Sequence, residues 1–197
     1  MGAIPQYRDR EGAWVGRKIG VRCPDEAASP ARLSTVSEPL AYFITIRTYG
    51  TWLHGDERGS TDPEHNAYGS PHLPPDPSWV GSAAKRMKDR PFVLGAEARR
   101  SVEAAIQERC AYAGWSVLAV NVRTNHVHVL LAASEPPEQV MTSLKAWATR
   151  RLRADGLVGG TRRVWSRHGS TVRAWNEADL ADIGHYILHG QGDDLPG

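Results

Sequence analysis

The chain has 197 residues, 41% of them hydrophobic, with 19 glycines and 13 prolines. It can therefore bury one core of ordinary domain size, and it must also carry loops. Its 24 Lys/Arg against 22 Asp/Glu give a formal charge of +2, which excludes a histone-like polycation and does not by itself announce a nucleic-acid binder. Only two cysteines occur, Cys23 and Cys110, which excludes a disulfide framework and any multi-cysteine zinc module. No run of roughly 18 apolar residues is present to span a membrane. Met1 to Arg10 lacks the apolar centre of a signal peptide, so a cytoplasmic location is expected.

Residues 1–38 show no sustained periodicity and are punctuated by Pro24, Ser29, Pro30 and Ser34. They read as a poorly ordered leader ahead of a domain over 39–192, with 193–197 as a tail. Leu40 to Arg47 is rich in aromatic and β-branched residues and reads as a buried strand. Residues 48–94, dense in glycine and proline, read as a long loop insertion. Within it Trp52 is placed either to anchor the loop to the sheet or to stack an unpaired base.

From Gly95 the pattern tightens. Ala98, Val102, Ala105, Ile106, Arg109, Cys110 and Ala113 repeat at helical spacing, and Gly114 ends that helix. Trp115–Val122 and His126–Ala132 alternate as strands, and the Arg123-Thr124-Asn125 turn makes them an antiparallel hairpin. Pro136-Pro137 opens a second helix with an apolar stripe of Val140, Leu144, Trp147, Ala148 and Leu152. Val164–Ser166 and Thr171–Trp175, flanking Arg167–Ser170, predict strand, turn and strand. Asn176 with Asp179 reads as the N-cap of a last short helix on Leu180, Ile183 and Ile187, stopped by Gly190. The order predicts an α/β (α+β) fold. It is a ferredoxin-like split βαβ antiparallel sheet with an added C-terminal helix. In that topology the first and third strands are central.

The sharpest chemical feature is His126-Val127-His128. Residues two apart on a strand share a face, so both imidazoles converge while Val127 and Val129 point away. Two histidines so placed can chelate one divalent metal. On a packed sheet the position ordinarily takes Val or Ile, so two imidazoles there ask for a reason. Tyr186 lies one position off the stripe of the last helix, among His185, His189 and Gln191.

These two motifs resemble the His-hydrophobic-His (HUH) motif and the tyrosine helix of the single-tyrosine HUH transposases, which include the REP-associated tyrosine transposases. The stretches Asn125–Leu130 and Trp165–Thr171 are similar to the same group, and the resemblance spans roughly residues 40–192. It implies a transposase-like enzyme that nicks single-stranded DNA, with hairpin or palindromic DNA among the substrates, and rejoins it through a 5′-phosphotyrosine. It implies His126 and His128 as ligands of Mg²⁺ or Mn²⁺ and Tyr186 as nucleophile. The group's third ligand stands about one turn after the tyrosine, where this chain has Gly190, which offers none. Residue type favours Gln191, and helix geometry favours His189. Gln191 is taken as the ligand, provided that Gly190 breaks the helix. The resemblance covers proteins that act as dimers and proteins that act alone, so a homodimer is one option.

Charge placement adds a third feature. Between positions 145 and 167, seven basic residues (Lys145, Arg150, Arg151, Arg153, Arg162, Arg163, Arg167) stand against Asp155 alone. Of this block Lys145, Arg150, Arg151, Arg153 and Arg167, with His168, are the expected DNA contacts, and the block is expected to lie beside the candidate site. Residues 176–197 carry five acids and no Lys or Arg, so the near-neutral total is a cancellation. Two other readings fit the same fold: a noncatalytic nucleic-acid-binding module, and a metal-dependent phosphodiesterase without a covalent intermediate. Sequence signatures of P-loop, zincin and serine-hydrolase chemistry are absent.

Overall fold

A computed structural model of the protein describes residues 38–58 and 73–192. The predicted tail, and the leader apart from Glu38, lie outside the described residues. The elements run β1 (Ala41–Thr48), α1 (Pro77–Lys85), α2 (Ala96–Ala113), β2 (Ser116–Val122), β3 (His126–Ala132), α3 (Pro137–Ala154), β4 (Trp165–Ala174) and α4 (Glu177–His189). The four strands form one antiparallel sheet in the order β2-β3-β1-β4. β1 and β3 are therefore central, as the ferredoxin-like reading requires.

The sheet has two unlike faces, and strand alternation sorts them. On one side Ile44, Ile46, Val127, Val129 and Leu131 meet Val102, Ile106 and Cys110 of α2 and Val140, Leu144, Ala148 and Leu152 of α3 in the main core. On the other side Ala41, Ala119, Leu130, Ala174 and Ile187 form a smaller cluster beneath α4, joined by Phe43, Leu180 and Ile183. Cys110 is a small core residue, and burial raises its thiol pKa to about 11, which keeps it protonated and inert. Gly114 closes α2 in the left-handed region at φ 73°, where the absence of a Cβ removes the usual penalty. Among the described residues no helix is long and apolar enough to cross a membrane.

Three features depart from the sequence expectation. The long insertion contains α1, whose start is capped by Asp76 accepting from the backbone N–H groups of Ser78 and Trp79. Pro77 opens that helix, so a proline that reads as loop punctuation is a helix N-terminus. Second, β2 does not keep one alternation. A bulge between Val117 and Ala119 sends Val117, Val120 and Val122 to the main core and Ala119 to the α4 side. One extra residue reverses the phase, which is why apolar residues of this strand serve both faces of the sheet.

Third, residues 167–170 do not turn. β4 is continuous, with an irregularity in its pairing where Ile46↔Gly169 gives way to Thr48↔Trp165. The Lys145 ammonium, from α3, donates to the carbonyls of Ser166, Arg167 and His168 and holds the distorted stretch. Gly169 is needed there because a Cβ would stand 2.5 Å from both Met141 Sδ and the Thr45 carbonyl oxygen. The strand backbone cannot yield without disturbing β1. Gly169→Ala is expected to lower unfolding free energy by about 1–3 kcal/mol, measured by urea titration. An unchanged midpoint would mean that the strand has room to shift.

Candidate active site

β3 delivers the two histidines to the α4 side of the sheet, in phase with Leu130 and opposite the dry valine face. The β1 register places Thr45 across from His128 and Arg47 across from His126. The imidazole centroids lie 4.6 Å apart. Each ring is oriented through Nδ1: His128 pairs with Thr45 Oγ1 at 3.0 Å, and His126 with Asn125 Oδ1 at 2.7 Å. An amide oxygen only accepts, so Nδ1–H of His126 donates and its Nε2 carries a lone pair.

α4 brings the tyrosine. Its N-terminus is capped by Asn176 Oδ1 accepting from Asp179 N–H. Its stripe of Leu180, Ile183 and Ile187 packs on the small core, and Asn121 Nδ2 donates to the Ile187 carbonyl at 2.8 Å, pinning the helix near its end. Tyr186 then lies edge-on to His128 at 5.7 Å and to Phe43 at 6.2 Å between ring centroids. It remains 41% exposed, so it is open to a macromolecular substrate.

Gly190 ends the helix, and its hydrogen substituent is what lets the tyrosine ring lie back. A Cβ there would stand 2.7 Å from Tyr186 Cδ2. Past this point Gln191 folds toward the sheet. Its Oε1 lies 3.1 Å from His126 Nε2, and its Nε2 donates to the Tyr186 carbonyl at 3.4 Å. His189 instead lies tilted against His185, centroids 5.0 Å apart, and is exposed. Of the two candidates for a third ligand, the fold brings Gln191 to the histidine pair.

Burial, above all, lowers the pKa of both histidines. For His128 the neighbouring His126 and Arg47 add to burial, Gln191 opposes them, and the pKa falls to about 4. For His126 Gln191 opposes burial, while Arg123, Arg47 and Arg58 reinforce it. Both rings are therefore neutral near pH 7. His126 Nε2 and Gln191 Oε1, 3.1 Å apart, put a ring nitrogen and an amide oxygen within reach of one cation. Two imidazole nitrogens and an amide oxygen suit a divalent ion whose remaining positions are filled by oxygen ligands, so the residues present fit a metal. Among the described residues no group of three His, Cys, Asp or Glu offers a metal site.

The basic block divides. α3 lies across the sheet from the imidazoles, because its apolar stripe shares the core with Val127 and Val129. Lys145 is committed to the β4 carbonyls. Arg151 pairs with Glu108 at 2.7 Å and Asp155 at 3.0 Å. Arg150 and Arg153 line an open groove with Thr149 and Trp165, and Arg167 and His168 are exposed on β4. The expectation that the block adjoins the histidines fails, because charge density along a chain does not say which face a helix covers. The arginines that act electrostatically on His126 are Arg123, Arg47 and Arg58, which no tally of a local block singles out. Thr45 and Arg47 could have been found as the polar, alternate positions of an otherwise apolar strand.

With this geometry in hand, comparison with known proteins places the chain. The sequence model of the family described as "Transposase IS200 like" matches residues 84–189. The match covers more than half of the chain, and the protein belongs to this family of transposases. Two solved structures are similar to it. One is a Deinococcus radiodurans R1 protein described as a "putative transposase", at 14% identity and a TM-score of 0.45, covering 81% of this chain and 96% of that one. The other is a REP-associated tyrosine transposase bound to a REP hairpin, at 13% identity and a TM-score of 0.46, covering 83% and 72%. No curated protein matches the sequence.

The low pKa of His128 sets a pH dependence for the metal-free protein. The unfolded chain takes up a proton near pH 6.5 that the folded protein refuses until about pH 4. Stability is full above pH 6.5 and falls as pH drops toward 4, by about 3 kcal/mol from this group. Melting temperatures recorded from pH 7.5 to 4 should show that decline, and His128→Gln should flatten it. A parent and variant with parallel profiles would remove the assignment.

Proposed function

We propose that the protein is a metal-dependent single-stranded DNA nickase and strand transferase. Tyr186 is the nucleophile, His126, His128 and Gln191 hold Mg²⁺ or Mn²⁺, and hairpin-bearing or palindromic DNA is the substrate. The observation that carries this reading is the tyrosine ring set against His128, in a chain of the IS200-like transposase family. A bound divalent ion would supply Lewis-acid stabilisation of charge developing on the phosphate. The protein does the rest. Thr45 and Asn125 fix the imidazole rings, Phe43 backs both His128 and Tyr186, and α4 aims the phenol. The Tyr186 oxygen bonds to phosphorus as the bond to the 3′ oxygen breaks. The phenol proton is lost, the leaving oxygen gains one, and the products are a 3′-OH and a 5′-phosphotyrosine. All four side chains come from one chain, so this reading needs no partner subunit to complete the site.

The test is a covalent adduct. Hairpin-bearing single-stranded DNA incubated with protein and Mn²⁺ should give a protein–DNA band on a denaturing gel, and Tyr186→Phe should abolish it. Replacing His126 or His128 by Ala should slow cleavage at least roughly 100-fold while most binding survives. Cleavage without an adduct would instead identify a phosphodiesterase, and binding with neither a recognition module.

For DNA contact, Arg150 and Arg153 are proposed as phosphate-binding residues, with Arg167 and His168 exposed on β4. Lys145 and Arg151, though counted in the same block, serve the fold. Arg150→Gln with Arg153→Gln should make the plot of log affinity against log salt shallower by roughly 1.4, since each single-strand phosphate left without its arginine takes about 0.7 from the slope. Arg151→Gln should leave that slope alone and lower the melting temperature. The opposite pattern would place the DNA on the α2 side of α3.

A further inference from the structure

The neighbourhood of His126 contains a cation whose placement the tyrosine, histidines and glutamine do not explain. Arg47 is the last residue of β1 in phase with the imidazoles, directly across from His126. Its guanidinium carbon lies over the Trp52 ring, 3.6 Å from the centroid. It is half-buried, and among the described residues Asp56 acts on it electrostatically without taking a hydrogen bond from it, since that carboxylate pairs with Arg58. A guanidinium carries five N–H donors, and a partly buried one ordinarily finds a carboxylate or carbonyl to receive them.

The described part of the surrounding loop commits its carboxylate to another arginine. Asp56 is the nearby acid, and Arg58 takes it with two hydrogen bonds of 2.7 Å, from Nε to Oδ1 and from Nη2 to Oδ2. Nη2 of Arg58 also donates to the Thr51 carbonyl at 2.7 Å. Arg58 is thereby spent on closing the 51–58 loop, and its guanidinium lies 4.5 Å from the centroid of the same tryptophan ring. Thr51 in turn donates to the Thr48 carbonyl at 3.1 Å, tying the loop to the end of β1. Trp52 is therefore held by the loop, and Arg47 is held by Trp52. The result is an orientated cation with donors to spare, beside His126.

We infer that Arg47 binds the scissile phosphodiester, with Trp52 as the residue that positions it. The inference rests on the proposed nicking reaction for the identity of that phosphate, and on geometry alone for the existence of an anion site. Its chemistry is that of a planar fork on two non-bridging phosphate oxygens, which lysine cannot reproduce. It also accounts for a site built from neutral ligands among arginines: the negative charge is to arrive with the DNA. A bound phosphodiester then offsets the repulsion that Arg47 exerts on any cation held by the histidines, so DNA and metal favour each other's binding. By linkage the effect is reciprocal.

The experiment uses the full chain and a hairpin-bearing oligonucleotide in which one methylphosphonate, a neutral linkage, is walked along the single strand. Binding is read by fluorescence anisotropy in EDTA, so neither cleavage nor metal is required. Wild-type protein should lose affinity roughly 10- to 100-fold at one linkage. Arg47→Ala should bind the unmodified strand that much more weakly and be indifferent to the methylphosphonate at that linkage alone. Arg47→Lys should recover only part of the affinity, and Trp52→Leu should lower sensitivity at the same linkage. Melting curves of each variant exclude unfolding as the cause. An Arg47→Ala protein that keeps the whole wild-type pattern of sensitivity overturns the inference, as does one in which the linkage that loses its sensitivity is not the one cleaved in Mn²⁺. A wild-type protein that forms no Tyr186 adduct overturns the nicking reaction instead, while the walk still reports whether Arg47 holds a phosphate.

Discussion

Everything at the site depends on the antiparallel register of β1 against β3. With Thr45 across from His128 and Arg47 across from His126, one face of two neighbouring strands carries a hydroxyl, two imidazoles and a guanidinium. The alternate residues, Ile44, Ile46, Val127 and Val129, are fully buried. A slip of one residue would exchange the two sets, and the aliphatic core holds the register against it. The chemistry is thus positioned by the hydrophobic effect acting on the opposite side of the same backbone.

α4 is placed by a much smaller apolar cluster, and its last turn is fixed by polar contacts. Asn121 reaches the Ile187 carbonyl, and Gln191 bridges from the Tyr186 carbonyl to His126. Gly190 makes both the ring position and the chain reversal compatible. The tyrosine and the glutamine are therefore not independent: the residue between them sets where each can go.

Much of this was legible in the sequence because it obeys short periods. The His-Val-His alternation, the helix stripes, the Asn176 cap and the central rank of β1 and β3 follow from spacings of two and of three to four residues. What was not legible required long-range information. The phase reversal in β2 depends on a bulge opposite β3, and the continuity of β4 depends on Lys145 reaching across from α3. α1 was hidden because proline both interrupts and opens helices. Gln191 was taken over His189 by residue type, whereas the path of its side chain toward His126 depends on where α4 ends. The basic block misled about location because a linear count ignores faces, whereas the cation beside His126 is a single arginine at the end of a strand.

The distorted stretch of β4 has a consequence for how the molecule meets others. β4 is an edge of the sheet, and an edge strand presents backbone groups to any passing strand. Over residues 166–168 the carbonyls instead converge on one ammonium, at 3.2 to 3.4 Å. A side chain from the helical layer thus occupies the acceptors that an incoming strand would use. The sheet is blunted at this margin from within, by a side chain that leaves fewer acceptors there for intermolecular strand addition.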